Sequence, residues 1–147
     1  MQLFLVHHAE AVSPVADPQR PLSTAGRLHA ATLAATARDA GVKPVAIWHS
    51  GKLRSRETAE AFWRACNPLA SLKMVRGLRP EDSADWMRDI LLVEDQDVML
   101  VGHMPNLPAL LQLLIGEASF PLHGLVWLER VTGGRFVERR RWTTHSS

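Results

Sequence analysis

The sequence predicts an α/β fold: a three-layer sandwich with a mostly parallel central sheet flanked by helices, and a C-terminal β-hairpin that adds antiparallel strands. Three observations carry this. Short apolar runs of strand length at residues 3–6, 45–50, 72–75 and 98–102 alternate with segments of helical length, the order of a parallel α/β sheet. Three of these runs deliver a histidine or an arginine at or beyond their C-terminal end: His7 and His8, then Arg54, then His103. The tail changes character, with runs at 125–131 and 135–142 joined by Thr132-Gly133-Gly134, a hairpin signal.

The first strand, Leu3-Phe4-Leu5-Val6, ends in His7-His8 and passes into a proline-containing loop. Ser23 or Thr24 suits the start of the next helix, because a hydroxyl oxygen accepts one of the first turn's unpaired N–H groups. That helix runs to Ala40, is stopped by Gly41, and draws its apolar stripe from Leu28, Leu33, Ala34 and Ala35. The strand at 45–50 leads to a helix from Leu53 to Cys66 that ends before Pro68, and 72–75 gives a short third strand. Ser83 opens a third helix with Trp86, Ile90 and Leu91 on one side. After the strand at 98–102, a helix from Pro105 to Ile115 closes at Gly116; proline suits a first turn, where its missing N–H has no intrahelical partner. No repeat, low-complexity tract or linker divides the sequence, so residues 1–147 are expected to form one domain.

A length of 147 residues with 46% hydrophobic residues is enough for a real core. The formal charge is +2, and much of the positive charge sits in Arg139-Arg140-Arg141, read as a solvated edge strand and not as a nucleic-acid surface, since no stacking platform accompanies it. Cys66 is the single cysteine, which excludes an internal disulfide and a cysteine zinc site; it is expected to pack within its helix. The five tryptophans are scattered singly, as core residues are. His29, His49, His123 and His145 form no spaced pair, although His49 lies beside Ser50 at a strand exit. The N-terminus lacks a signal-peptide pattern and no apolar run has bilayer-spanning length, so a cytoplasmic protein without membrane contact is expected.

In open α/β sheets ligands bind at the C-terminal edge of the strands. Two imidazoles and a guanidinium converging there point to phosphoryl chemistry. His8 supplies a nucleophile that is neutral near pH 7 without help. The Arg54 fork can hold two phosphoryl oxygens, which lysine cannot do in the same geometry. His103 immediately precedes a helix, whose N-terminus adds positive partial charge toward an anion, and it is assigned to donating a hydrogen bond to the phosphoryl group. Arg56, two residues from Arg54, is expected to face away as a surface residue.

The segments that carry these residues resemble the histidine-phosphatase (phosphoglycerate-mutase-like) superfamily, and within it the small SixA-type phosphohistidine phosphatases. Val6-His7-His8-Ala9-Glu10 matches the family's strand ending in Arg-His-Gly. Arg20-Pro21-Leu22-Ser23-Thr24-Ala25-Gly26 matches its Arg-Pro-Leu-Thr/Ser-x-x-Gly. Ser50 to Thr58 matches Ser-x-x-x-Arg-x-x-x-Thr, and Val101-Gly102-His103 carries the second catalytic histidine. The four blocks occur in the family's order and spacing over almost the whole chain. Three positions depart from it: His7 replaces an arginine, Ala9 a glycine, and Gly51 a common proline.

The resemblance implies a metal-independent phosphohistidine phosphatase without cofactor, working through a covalent phospho-His8 intermediate on a phosphorylated histidine-containing protein or a small phosphorylated substrate. It implies phosphate contacts from His7, Arg20, Arg54 and His103. Glu81 and Asp82 are the possible general acids, and a site without a strong acid favours phosphohistidine over an unactivated ester. Two alternatives remain at this stage: a weakened phosphohistidine- or phosphate-binding module, because His7 replaces a fixed cation, and a small phosphomonoesterase. A metal site from His7, His8, Glu10 and His103 ranks last, because neighbours on a strand point to opposite faces unless the strand has ended. If His7 takes over the arginine's role by protonating, activity should show an alkaline limb as that proton is lost.

Overall fold

The computed structural model describes residues 1–143; His145 lies outside them. The elements follow in the order β1 (Gln2–His7), α1 (Thr24–Asp39), β2 (Ala46–His49), α2 (Leu53–Cys66), β3 (Ser71–Met74), α3 (Asp85–Val93), β4 (Val98–Gly102), α4 (Asn106–Ile115), β5 (Leu125–Arg130) and β6 (Phe136–Trp142). Strands β2 and β4 are buried at every position and β1 at all but its first, because helices cover both faces of the sheet. On one face Leu3, Leu5, Trp48, Val98 and Leu100 pack against Met87 and Leu91 of α3 and Leu107, Leu110 and Leu111 of α4. On the other Phe4, Val6, Ile47, Met99 and Val101 pack against Leu33, Ala34 and Ala37 of α1 and Ala59 and Phe62 of α2. The three layers are those the sequence predicts.

The six-stranded sheet has the order β3-β2-β4-β1-β5-β6. Strands β1, β2, β3 and β4 are parallel, while β5 runs antiparallel to β1 and to β6. Edge strand β6 carries the arginine run: Arg139 pairs with Glu129, Arg141 with Glu138, and Arg140 lies over the Trp142 ring. Cys66 is buried, and its Sγ–H points to the Ala34 carbonyl. Burial pushes its thiol up to about 11, so it packs and does not react near neutrality.

Two expected packing faces are corrected. Leu28 is exposed; the buried face of α1 is Gly26, Ala30, Leu33, Ala34 and Ala37. On α3, Met87 and Leu91 are buried whereas Trp86 is exposed and covers Gly77, where a Cβ would sit 2.8 Å from the indole. In both helices the neighbouring sheet selects the face, and a short helix with apolar residues on several sides does not announce it.

Candidate active site

Because β1, β4 and β2 lie side by side and parallel, their C-terminal ends open on one edge of the sheet, and the functional side chains gather there. His7 is the last residue of β1 and His8 the first beyond it. The strand's alternation has therefore ended, and the two rings lie together at 4.5 Å between centroids. The sequence reading set the two rings apart unless the strand had ended, and it has ended at His7. The His8 ring lies 5.0 Å from His103, which follows β4, and 6.0 Å from His123 in the loop before β5.

Backbone contacts fix the tautomers. His8 Nδ1 lies 2.7 Å from the Ala9 carbonyl oxygen. A carbonyl only accepts, so Nδ1 carries the proton and Nε2 keeps its lone pair. Burial lowers the His8 pKa to about 4, opposed by that carbonyl bond and assisted by Arg54. Thr58 holds the segment in place: its hydroxyl accepts the Ala9 N–H at 3.0 Å and donates to the Arg54 carbonyl. Ser50 does the same for His103, with Oγ 2.6 Å from Nε2. His103 Nδ1 is buried without a protein partner, and burial followed by the His8 and Arg54 charges lowers this ring's pKa to about 3. The serine and threonine of the Ser50–Thr58 block are thus supports, and the arginine between them is left unpaired.

Arg54 stands in the first turn of α2, with Nε buried and unpartnered. Its pKa is lowered by burial and by Arg20, whose own Nε donates to the Val12 carbonyl, while Glu81 opposes the shift. Two guanidinium groups held close enough to repel describe a site for an anion. Arg56 is exposed, as expected. Glu81 is exposed but lies within the field of Arg54, whereas Asp82 is committed to its loop, accepting the Arg79 N–H at 3.0 Å. Among the described residues the Glu81 carboxylate accepts no hydrogen bond, whereas one oxygen of Asp82 is used within its loop. His49 accepts the Gly51 N–H and is used locally.

The departures from the family pattern are accounted for. Ala9 packs on Leu22 and Ala30 without a positive φ, so a glycine is not required there. Gly51 has φ +90°, which proline cannot adopt. Gly26 lets α1 approach the loop after β1; a Cβ there would fall 2.0 Å from the Glu10 carbonyl oxygen. His7 is the larger change. Its Nδ1 accepts the His123 N–H at 2.8 Å, so the neutral ring carries its proton on Nε2. Burial, followed by the His8, His123 and His103 charges, drives its pKa to about 2. His7 is therefore a neutral N–H donor at working pH, and the expected alkaline limb from its titration is withdrawn.

His123 is the site residue that sequence reasoning missed. It has φ +54°, stacks on His7 at 4.8 Å, and its Nδ1 donates to the His8 carbonyl at 2.7 Å. The only sequence signal was a histidine beside Gly124 just before a strand. Its bond ties the loop before β5 to the His8 segment. His123→Ala is expected to cost about 1–2 kcal/mol of stability by leaving that buried carbonyl unpaired. His123→Asn offers an amide near the Nδ1 position and tolerates positive φ, so it should lose less than about 0.5 kcal/mol. Urea unfolding of both variants checks this; equal losses would refute the bond's importance.

Nitrogens of His7, His8 and His123 lie within 4.8 Å of one another. They do not suit a metal as they stand. The His123 N–H occupies Nδ1 of His7 and leaves Nε2 protonated, and Arg54 and Arg20 place positive charge beside the cluster. The four-residue metal set that ranked last in the sequence reading is not assembled, since the Glu10 carboxylate accepts from Ser23 Oγ instead.

No protein-family model and no curated protein matches the chain. Solved structures do. The protein histidine phosphatase SixA complexed with tungstate superposes with TM-score 0.86 at 21% identity, covering 98% of this chain and 97% of that one. SixA from Agrobacterium tumefaciens gives TM-score 0.82 at 27% identity over 97% of each chain. Phosphoglycerate mutase from Plasmodium falciparum gives 0.76 at 18% identity, covering 99% of this chain and 92% of that one. The chain has the phosphoglycerate-mutase-like fold that these structures share.

Proposed function

We propose that this SixA-like chain is a phosphohistidine phosphatase that passes the phosphoryl group through Nε2 of His8. The observation that carries the reading is the His8 tautomer: Nδ1–H is tied to the Ala9 carbonyl, leaving a nucleophilic nitrogen beside His103 and two guanidinium groups. In the first step Nε2 attacks phosphorus, the P–N bond to the substrate imidazole breaks, and the leaving ring keeps the electron pair. A substrate ring protonated on its other nitrogen leaves as neutral imidazole and needs no acid. Phospho-His8 is then cationic, with phosphorus on Nε2 and the proton on Nδ1, and the Ala9 carbonyl stabilises that charge. Water attacks phosphorus in the second step, His8 departs as neutral imidazole, and the water proton passes to phosphate or solvent.

An ester would instead leave as an alkoxide and require a proton. With Asp82 committed and Glu81 exposed, the site is better matched to phosphohistidine than to an ester. His7 and His103 supply N–H donors, and Arg54 and Arg20 supply charge. The same proposal takes in metal independence, a phosphorylated histidine-containing protein as partner, and a cytoplasmic location; among the described residues no helix is long and apolar enough to cross a membrane.

Rapid quench with a labelled phosphohistidine substrate tests the reading: label is expected on His8, and label on His7 or His103 would overturn it. Arg54→Ala and His103→Ala should each lower turnover on the order of a hundredfold to a thousandfold, the usual effect of removing one donor to developing charge. Steady-state kinetics within a few-fold of wild type for both would refute their roles.

A further inference from the structure

Beyond the phosphoryl site the molecule has a second feature with no role in the steps above. A cavity of about 520 Å³ adjoins Ser50, the residue bonded to His103, and is walled by Met74, Val75, Arg76, Gly77, Arg79 and Asp82. Its volume far exceeds what a phosphoryl group fills, so it has room for the body of a substrate. Its charge is unbalanced. Among the described residues neither Arg76 nor Arg79 has an ion-pair partner, whereas Arg88 on α3 and Arg139 and Arg141 on β6 are matched to carboxylates. Asp82, the one acid in the wall, caps the Arg79 N–H. Met74 and Val75 supply its apolar lining, and both arginines are exposed.

We propose that this annex binds a second anionic group, a carboxylate or phosphate, carried by the substrate beside its phosphoryl group. Arg76 and Arg79 receive the second anion while Arg54 and Arg20 receive the first, so the chain selects substrates with two separated negative groups. Guanidinium donors bind oxyanions through charge-assisted hydrogen bonds, and an unpaired pair of them in a concave wall gives up no existing partner to do so. The proposal deepens the phosphatase reading and rests on it for the position of the first anion. The anion has two sources, an acidic side chain flanking phosphohistidine in a protein or a carboxylate of a small molecule.

The test compares wild type, Arg76→Ala and Arg79→Ala on four probes: phosphoimidazole, free phosphohistidine, and one phosphohistidine peptide with glutamate flanks or with glutamine flanks. Phosphoimidazole has the same leaving group and no second anion, so both variants should match wild type on it in kcat and KM. On an annex ligand each variant should raise KM about tenfold with kcat little changed. An effect on the glutamate peptide but not the glutamine peptide identifies a protein source, and an effect on free phosphohistidine alone identifies a small molecule. Unchanged KM on every probe, or equal losses on phosphoimidazole, overturns the annex. Wild-type failure on phosphoimidazole counts against the phosphatase reading alone. In that event equilibrium binding of the two peptides to wild type and to the variants decides the annex, with charge-independent binding overturning it.

Discussion

His8→Ala is expected to lower turnover by on the order of 10⁴- to 10⁶-fold, the scale seen when a covalent nucleophile is removed. The loss is larger than for any other residue of the site because His8 carries the attacking nitrogen, and its neighbours His7 and His103 are not placed to replace it. His7 presents a protonated Nε2 and has its other nitrogen occupied, and His103 Nε2 is engaged by Ser50. Wild-type kcat/KM should fall on the acidic side as His8 gains a proton on Nε2. With its pKa lowered by burial to about 4, that limb lies well below the ordinary histidine value of 6.5. His7 contributes no alkaline limb, since its pKa is driven down to about 2. A pH–rate profile corrected for acid-catalysed loss of phosphohistidine reads both statements. A midpoint near 6.5, or His8→Ala retaining turnover within tenfold, would remove His8 from the role.

Acid should also unfold this protein early. His7, His8 and His103 are buried, with pKa values lowered mainly by desolvation from 6.5 to about 2, 4 and 3. Above 6.5 all three are neutral in both folded and unfolded chains, and they make no pH-dependent contribution. As pH falls below 6.5 the unfolded chain takes up protons that the folded one refuses, so stability declines until each folded-state value is reached. At pH 5 the gap from 6.5 is 1.5 units, about 2 kcal/mol for each histidine and several for the three together. That is a large share of a domain's net stability. Urea unfolding at pH 7.5 and pH 5.0 measures it, and His103→Gln, which cannot titrate, should show a loss smaller by about 2 kcal/mol. An unchanged midpoint between the two pH values would show that the cluster protonates without cost.

By itself the sequence determined the order of elements and the sheet edge on which the candidate site lies. Apolar runs fix strands wherever both faces are covered, and a histidine or arginine just past such a run has only the sheet's open edge to occupy. Ser23 shows the same local legibility: its Oγ accepts the Gly26 N–H as a cap should. Side-chain state was decided only by the tertiary structure. Nothing near His7 in sequence reveals that the His123 N–H, 116 residues away, makes it a neutral acceptor. His123 itself, the supports given by Ser50 and Thr58, the separation of Glu81 from Asp82 and the exposure of Trp86 belong to the same class. Tautomer and pKa depend on which groups are within about 3 Å and on how much water is excluded, and both are set by packing between distant segments. Local pattern therefore placed the candidate site residues, and long-range contacts fixed the protons they carry.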